Sequence, residues 1–242
     1  MTRTLEAIVY DFDGVIADSE RLHLQAYQDV MAPLGLALSS EDYYARYVGY
    51  DDRRTLQIYS ENHALGWDAD MTSRLITAKS ARYEALTAQG EMLYPGAAAF
   101  IRAAADVVPI AIASGALTHE IEDILDTAGL RECFIAVVGA DQTERSKPSP
   151  DPYLEAVHRI TVRGYGLDPS CTVAIEDSRW GLVSAATAKL RCVAVTNTYT
   201  AAELAPHAEL VVPGLHALTL AALNSLCASL PASAIPRSSG TP

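Results

Sequence analysis

The stretch Ala7-Ile8-Val9-Tyr10-Asp11-Phe12-Asp13-Gly14-Val15 decides the fold of this chain. Four apolar residues that end abruptly in acid and glycine are typical of a buried parallel strand, which delivers its last residues to the carboxyl edge of an open α/β sheet. Side chains alternate along an extended segment, so Asp11 and Asp13 share a face unless the chain turns, and Gly14 allows such a turn. Two carboxylates this close together predict a cation nearby.

The composition is that of a globular protein. The 242 residues are 50% hydrophobic, which is ample for a large core, and the formal net charge is −12. Nucleic acids and anionic membranes need basic patches, and the 18 Lys and Arg residues form no run, so we expect neither partner.

The sequence also suggests where the protein resides. The first strand leaves no room for a targeting peptide, and no apolar run approaches the ~18 residues of a membrane span, so we expect a cytoplasmic location. The four cysteines show no metal-binding spacing and no disulfide framework. We expect them to be reduced and mostly buried.

The remaining pattern predicts an α/β fold, a doubly wound parallel sheet with an all-helical insertion. Helices without intervening strands are expected near residues 21–34, 41–48, 53–64 and 70–88. From residue 94, strand-like runs alternate with helical ones, and strands are expected at residues 107–113, 135–138, 172–175, 191–195 and 210–212. Thr118 is predicted to cap the helix after the second strand. The predicted domains are a core (residues 1–18 and 92–230), the helical insert (residues 19–91) and a loose tail (residues 231–242).

Chemically active residues follow three of the predicted strands: Asp11 and Asp13 follow the first, Ser114 with Gly115 follows the strand at residues 107–113, and Glu176 with Asp177 follows the strand at residues 172–175. Lys147 lies in the loop after the strand at residues 135–138. Because parallel strands end at one edge of a sheet, we expect these side chains to meet. At ~4 Å and an effective dielectric of ~20, each pair of like charges costs about 4 kcal/mol, so either some carboxylates are protonated or a hard divalent cation lies among them. Oxygen ligands are those that Mg²⁺ prefers, usually where phosphate is handled. A hydroxyl and backbone N–H groups at Ser114-Gly115 and the ammonium group of Lys147 would complete a phosphate cage.

These motifs, in this order, resemble those of the haloacid dehalogenase superfamily of phosphotransferases over residues 5–213. Asp11-Phe12-Asp13-Gly14-Val15 is similar to the first motif and Ser114 to the second. Lys147-Pro148 is similar to the third, and Glu176-Asp177-Ser178 to the acidic fourth. The insert resembles the C1 cap of the branch that includes beta-phosphoglucomutase, phosphoglycolate phosphatase and the CbbY-type sugar bisphosphate phosphatases, with the third and fourth motifs leaning toward CbbY.

The resemblance implies a Mg²⁺-dependent phosphatase, a phosphoric monoester hydrolase, acting on a small phosphorylated metabolite such as a sugar phosphate or bisphosphate. Asp11 would be the nucleophile that forms an aspartyl phosphate, and Asp13 the general acid and base. The implied metal ligands are Asp11, the backbone carbonyl of Asp13, and Asp177, with Glu176 in contact directly or through water. The implied phosphate-binding groups are Ser114, Gly115 and Lys147.

In the insert, the resemblance implies two substrate residues. His23 matches a cap histidine of beta-phosphoglucomutase-like members, and Arg53 could grip a distal phosphate as in CbbY-like sequences. Asp52 occupies the position at which beta-phosphoglucomutase has an arginine, and this difference argues against the hypothesis of a phosphohexomutase. A phosphohexomutase and a catalytically idle ligand-binding relative remain as alternatives, and the expected assembly is a monomer or a weak homodimer.

Overall fold

A six-stranded, all-parallel sheet forms the centre of the computed structural model, which describes residues 4–48, 50–87 and 92–228. The strands are β1 (Ala7–Tyr10), β2 (Ile110–Ala113), β3 (Ala136–Val138), β4 (Thr172–Glu176), β5 (Arg191–Val195) and β6 (Leu210–Val212). Their spatial order is β3-β2-β1-β4-β5-β6, so the first strand of the chain lies in the middle of the sheet. This order confirms the doubly wound fold. The tail predicted at residues 231–242 lies outside the described residues.

Ten helices accompany the sheet in the described part of the chain. Between β1 and β2 lie α1 (Glu20–Met31), α2 (Ser40–Arg46), α3 (Asp52–Asn62), α4 (Ala69–Thr87) and α5 (Ala97–Ala105). The later helices are α6 (Thr118–Thr127), α7 (Asp151–Val162), α8 (Arg179–Thr187), α9 (Ala201–Leu204) and α10 (Leu220–Ala228). Among the described helices, none is both long and apolar enough to cross a membrane.

Helices bury both faces of the sheet, as the continuous apolar strands predict. Alternation along β1 sends Ile8 and Tyr10 into a large cluster with residues of α5, α6 and α10. It sends Ala7 and Val9 to the other face, where small strand residues pack against α7 and α8. The carboxyl ends of β1, β2 and β4 are thereby held at one edge by two packed layers.

Helices α1 to α4 form a third apolar cluster of their own, to which Tyr27, Tyr43, Leu56 and Tyr59 contribute. Ser39 caps the N-terminus of α2, since its hydroxyl accepts the N–H of Asp42 at 3.1 Å. The chain from α1 to α4 therefore carries an apolar cluster separate from those of the sheet.

Two local predictions need correction. Strand β2 begins at Ile110 and not at residue 107, because Pro109 lacks an N–H and because the N–H groups of Val107 and Val108 bond to the Ala104 carbonyl at the end of α5. Thr118 does not cap α6: Leu117 is the N-cap residue. The Thr118 hydroxyl donates instead to Asp141 at 2.7 Å.

The expectation that most cysteines are buried is confirmed, since Cys171, Cys192 and Cys227 are buried.

Candidate active site

The first motif forms a tight turn at the end of β1. The N–H of Asp11 donates to the Ile175 carbonyl at 2.9 Å, which extends the pairing with β4 and fixes Asp11 at the sheet edge. Gly14 then adopts a φ of +76°, a conformation that costs glycine little. A Cβ at this position would lie 1.8 Å from an Asp177 carboxylate oxygen. Glycine is therefore required both by the backbone conformation and by the close approach of the fourth motif.

Lys147 joins the first and fourth motifs. Its Nζ lies 2.8 Å from Asp11 Oδ1 and 2.6 Å from Glu176 Oε1, and its side chain is only 3% exposed. Burial alone would lower the pKa of Lys147, but the two carboxylates outweigh burial and raise that pKa above its usual value. The ammonium group is therefore held charged against the predicted nucleophile.

Both oxygens of Glu176 are already occupied by protein groups. Oε1 accepts from Lys147 and from the Tyr153 hydroxyl at 2.7 Å, and Oε2 accepts from the Ser178 hydroxyl at 3.1 Å. Gly181 makes this possible, since a Cβ there would lie 1.9 Å from the Glu176 carboxylate. Glu176 is thus a fixed, fully buried carboxyl group that positions Lys147.

Three carboxylates form a compact, buried oxygen cluster. Ligand atoms of Asp11, Glu176 and Asp177 all lie within 4.8 Å of one another. Burial and the neighbouring carboxylates raise the pKa of both Asp11 and Asp177 well above the usual value, although Lys147 opposes this at Asp11. A divalent cation would relieve this crowding, and an all-oxygen donor set is the kind that suits Mg²⁺. The residues therefore fit that metal, with Asp11 and Asp177 as the candidate carboxylate ligands.

Asp13 occupies different surroundings from Asp11. Its Oδ1 accepts a hydrogen bond from the Ser19 hydroxyl and lies 3.4 Å from His23 Nε2. Burial would raise the pKa of Asp13, but His23, Ser19 and Lys79 together outweigh burial and lower it. The two acids of the first motif are thus held by separate groups, Asp11 by Lys147 and Asp13 by residues at and within α1.

Ser114 ends β2 beside the acidic cluster. Its N–H donates to the Val138 carbonyl at 2.9 Å, and its hydroxyl accepts the N–H of Ala116 at 3.1 Å. Gly115 follows directly, with the backbone of Tyr50 3.7 Å from where its Cβ would lie. A hydroxyl and the loop's backbone therefore face the predicted phosphoryl position.

A buried lysine in α4 was not identified from the sequence. The Lys79 side chain is 1% exposed, and its Nζ lies 3.0 Å from Asp52 Oδ1 and 2.7 Å from His23 Nδ1. The Tyr27 hydroxyl donates to the same Asp52 oxygen at 2.6 Å. An ammonium group only donates, so His23 Nδ1 accepts and the ring proton lies on Nε2, toward Asp13. The sequence did hold a signal, because Lys79 falls in the buried stripe of α4.

A small cavity of about 40 Å³ lies where these groups converge. Most of the predicted site residues line it: Asp11, Asp13, His23, Ser114, Gly115, Lys147 and Asp177. Glu176 is buried behind Lys147. Arg53 is exposed on α3 and is absent from the lining. The rest of the lining was not predicted: Glu20, Tyr27, Tyr43, Val48, Tyr50 and Ala116.

Two contacts close the cavity between the helical insert and the sheet domain. The rings of Tyr50 and Trp180 stack with centroids 5.6 Å apart, and the Tyr199 hydroxyl donates to the Tyr44 carbonyl at 3.0 Å. The guanidinium of Arg179 lies 4.3 Å from the centre of the Trp180 ring. These contacts join Tyr44 of α2 and Tyr50, which precedes α3, to α8 and to the segment after β5.

Comparison with known proteins agrees with this geometry. A family model described as haloacid dehalogenase-like hydrolase matches residues 8–195. Protein CbbY of Rhodobacter capsulatus is 31% identical over 229 residues, which span 92% of this chain and 99% of the relative. Hexitol phosphatase B of Escherichia coli is 27% identical, over 80% of this chain and 84% of the relative.

Solved structures show the same fold. The crystal structure of a CbbY variant from Rhodobacter sphaeroides in complex with xylulose-(1,5)bisphosphate matches with a TM-score of 0.80 and 28% identity, covering 91% of this chain and 99% of that one. A beta-phosphoglucomutase from Clostridium difficile matches with a TM-score of 0.82 at 20% identity, covering 92% and 97%. The latter likeness shows the fold alone.

The fold, the site and these relatives together define a phosphoric monoester hydrolase. More specifically, the chain belongs to the haloacid dehalogenase-like hydrolase family, in its CbbY-like branch. The family predicted from the four motifs is confirmed.

Proposed function

We propose that this protein is a Mg²⁺-dependent phosphatase of a small sugar phosphate, acting through an aspartyl-phosphate intermediate. The observation that carries the proposal is the unlike environment of two acids one residue apart. Asp11 is paired with Lys147 at 2.8 Å beside the acidic cluster, whereas Asp13 faces His23 and the helical insert. The names of the relatives, one crystallised with a sugar bisphosphate and one a hexitol phosphatase, support a sugar phosphate as the substrate.

In the first step, an Asp11 carboxylate oxygen attacks the phosphorus, and the ester P–O bond breaks. The departing oxygen takes a proton from Asp13, which has gained that proton on meeting the anionic substrate. Lys147, the Ser114 hydroxyl and the loop's N–H groups stabilise the charge on the phosphoryl oxygens. Mg²⁺, held by Asp11, Asp177 and the Asp13 carbonyl, would supply further positive charge at the phosphoryl group.

In the second step, Asp13 is a carboxylate and removes a proton from water. The water oxygen forms a bond to phosphorus, the acyl-phosphate bond breaks, and the Asp11 carboxylate is restored as inorganic phosphate leaves. Asp13 again carries a proton, which it returns to the solvent or to the next leaving group. The different surroundings of the two acids therefore give them different roles, Asp11 as the nucleophile and Asp13 as the general acid and base.

The helical insert, residues 19–91, is proposed as a lid domain over a core of residues 1–18 and 92–230. Ligand cavities generally measure roughly 300–1,000 Å³, and the closed site offers only about 40 Å³. A sugar phosphate therefore enters only when the insert moves away from the core. Closure over the bound substrate then excludes bulk water from Asp11 while the ester is cleaved.

Substitution of the two acids tests this mechanism. Asp11→Asn should abolish phosphate release from every ester. Asp13→Asn should fail with sugar phosphates yet retain activity on p-nitrophenyl phosphate, whose leaving group needs little protonation. Asp126→Asn, at an exposed acid on α6, is the matched control and should behave as the unmodified protein does.

Substantial turnover by Asp11→Asn would exclude a nucleophilic Asp11. Equal losses on sugar and aryl esters in Asp13→Asn would exclude its role as the acid. If neither a panel of sugar phosphates nor p-nitrophenyl phosphate released phosphate with Mg²⁺, the phosphatase proposal itself would be wrong.

A further inference from the structure

The segment that follows β5, residues 196–199, lies beside the acidic cluster and was not identified from the sequence. Strand β5 pairs with β4 in the sheet, so its carboxyl end lies next to the strand end that carries Asp177. The Asn197 side chain donates to the Gly14 carbonyl at 2.7 Å, which ties the segment to the turn of the first motif. This bond fixes the position of the next residue, Thr198.

Thr198 contacts a carboxylate of the acidic cluster directly. Its hydroxyl donates to Oδ2 of Asp177, whose residue is only 2% exposed. A Cβ at Gly14 would lie 1.8 Å from the same carboxylate oxygen and 2.8 Å from Thr198 Oγ1, so these three groups meet at one point. Because threonine is branched at Cβ, its χ1 angle is restricted and its hydroxyl is a donor of fixed direction. The Asp177 carboxylate is therefore confined by both neighbours.

The partner of Asp177 differs in kind from that of the other two carboxylates. Lys147 Nζ lies 2.8 Å from Asp11 Oδ1 and 2.6 Å from Glu176 Oε1, so a positive charge faces each of them. Burial and these two neighbouring carboxylates raise the pKa of Asp177, and the hydrogen bond from Thr198 opposes that rise. A hydroxyl brings no charge of its own. The contact with Thr198 therefore directs the Asp177 carboxylate without a counter-charge that would compete with a metal ion.

We propose that Thr198 is a positioning residue of the metal site, a role that rests on the proposed Mg²⁺-dependent function. Its hydroxyl holds the Asp177 carboxylate in the direction in which that group serves as a ligand. Without this hydrogen bond, repulsion from Asp11 and Glu176 turns the carboxylate away from the cluster. Groups that hold metal ligands in place typically contribute about 10–100-fold to metal affinity.

Calorimetric titration of Mg²⁺ into the chelator-treated, dialysed protein measures this affinity without any substrate. Thr198→Val keeps the shape of the side chain but lacks the hydroxyl, and it should bind Mg²⁺ about 10–100-fold more weakly than the unmodified protein does. Thr198→Ser keeps the hydroxyl and should restore most of the affinity. Thr161→Val, at an exposed threonine of α7, is the matched control and should bind Mg²⁺ as the unmodified protein does.

Two results would overturn the proposal. One is an equal Mg²⁺ affinity of Thr198→Val and the unmodified protein. The other is a loss of affinity in Thr198→Val that Thr198→Ala, which also lacks the hydroxyl, does not share. The added methyl group, and not the lost hydrogen bond, would then be the cause.

The Mg²⁺ dependence of hydrolysis separates positioning from a general loss of structure. In Thr198→Val, the Mg²⁺ concentration that gives half-maximal phosphate release from p-nitrophenyl phosphate should rise about 10–100-fold, while kcat at saturating Mg²⁺ stays within about threefold. A low kcat that no concentration of Mg²⁺ restores would show general damage to the site, against the proposal.

The positioning role and the phosphatase function can fail separately. If the unmodified protein binds Mg²⁺ and Thr198→Val binds it weakly, but no ester is hydrolysed, the role of Thr198 stands and the phosphatase function falls. If esters are hydrolysed but the unmodified protein binds no Mg²⁺, the role of Thr198 falls and the hydrolysis of phosphate esters stands.

Discussion

Replacement of Lys79 by methionine should destabilise the protein, because the variant leaves a carboxylate without its counter-charge. Lys79 is 1% exposed and Asp52 is 16% exposed, and their charged atoms are 3.0 Å apart. With an effective dielectric of ~20, Coulomb's law gives about 5 kcal/mol of attraction at this distance. Removing one partner of a buried pair generally costs about 3–5 kcal/mol, and the partial exposure of Asp52 places the expected loss near the lower value, about 3 kcal/mol.

Thermal unfolding followed by circular dichroism measures this loss. For a chain of this length, about 3 kcal/mol corresponds to a decrease in Tm of roughly 6–12 °C. Lys189→Met, at an exposed lysine after α8, is the matched control and should shift Tm little. The double variant Lys79→Met with Asp52→Leu should be more stable than Lys79→Met alone, since it removes the unpaired charge as well.

Two results would refute this reasoning. One is a Tm of Lys79→Met equal to that of Lys189→Met, which would mean that the buried pair contributes nothing. The other is a double variant less stable than Lys79→Met, which would mean that Asp52 stabilises the helices independently of the ammonium group.

The remaining predictions concern the acidic cluster and the metal proposed to bind there. Gly181→Ala should lower kcat by about 100-fold, because its Cβ would displace Glu176 and hence the lysine that Glu176 holds. Gly166→Ala, with no atom within 4 Å of the added Cβ, is its control, and equal activities of the two variants would contradict the argument. Chelation by EDTA should abolish phosphate release from p-nitrophenyl phosphate and added Mg²⁺ should restore it, whereas turnover that is indifferent to EDTA would exclude the metal.

The strands and the core of the site were predictable because their signals are local. Strands β5 and β6 have the predicted bounds, since each is a short apolar run between polar turns. The meeting of Asp11, Ser114 and Asp177 required only that parallel strands end at one edge. No long-range packing had to be known.

The groups around the leaving group were not predictable in the same way. Helical periodicity identifies a buried stripe in α4, but it does not say which side chain of another helix will lie against Lys79. That Asp52 and His23 flank this lysine depends on how α1, α3 and α4 pack. For Arg53, sequence spacing alone could not show that its side chain lies outside the cavity lining.

The partners of Glu176 also could not be predicted from the sequence. The sequence marks it as an acid at the end of β4, but not that its oxygens are engaged by Lys147, Tyr153 and Ser178. These three residues belong to separate segments, and each contact depends on the packing of α7 and α8 against the sheet. The local sequence therefore identifies Glu176 as an acid at a strand end, but it does not identify the partners of its two oxygens.

The central position of β1 also has a consequence for synthesis of the chain. Its backbone pairs with β2 on one side and β4 on the other, so one edge of the first strand to be made lacks its partner until Thr172–Glu176 has left the ribosome. Four helices of the insert are completed in the meantime. Native sheet formation, and with it assembly of the acidic cluster, is therefore a late event for the nascent chain, and any fragment that stops before β4 carries Asp11, the proposed nucleophile, without Glu176 and Asp177.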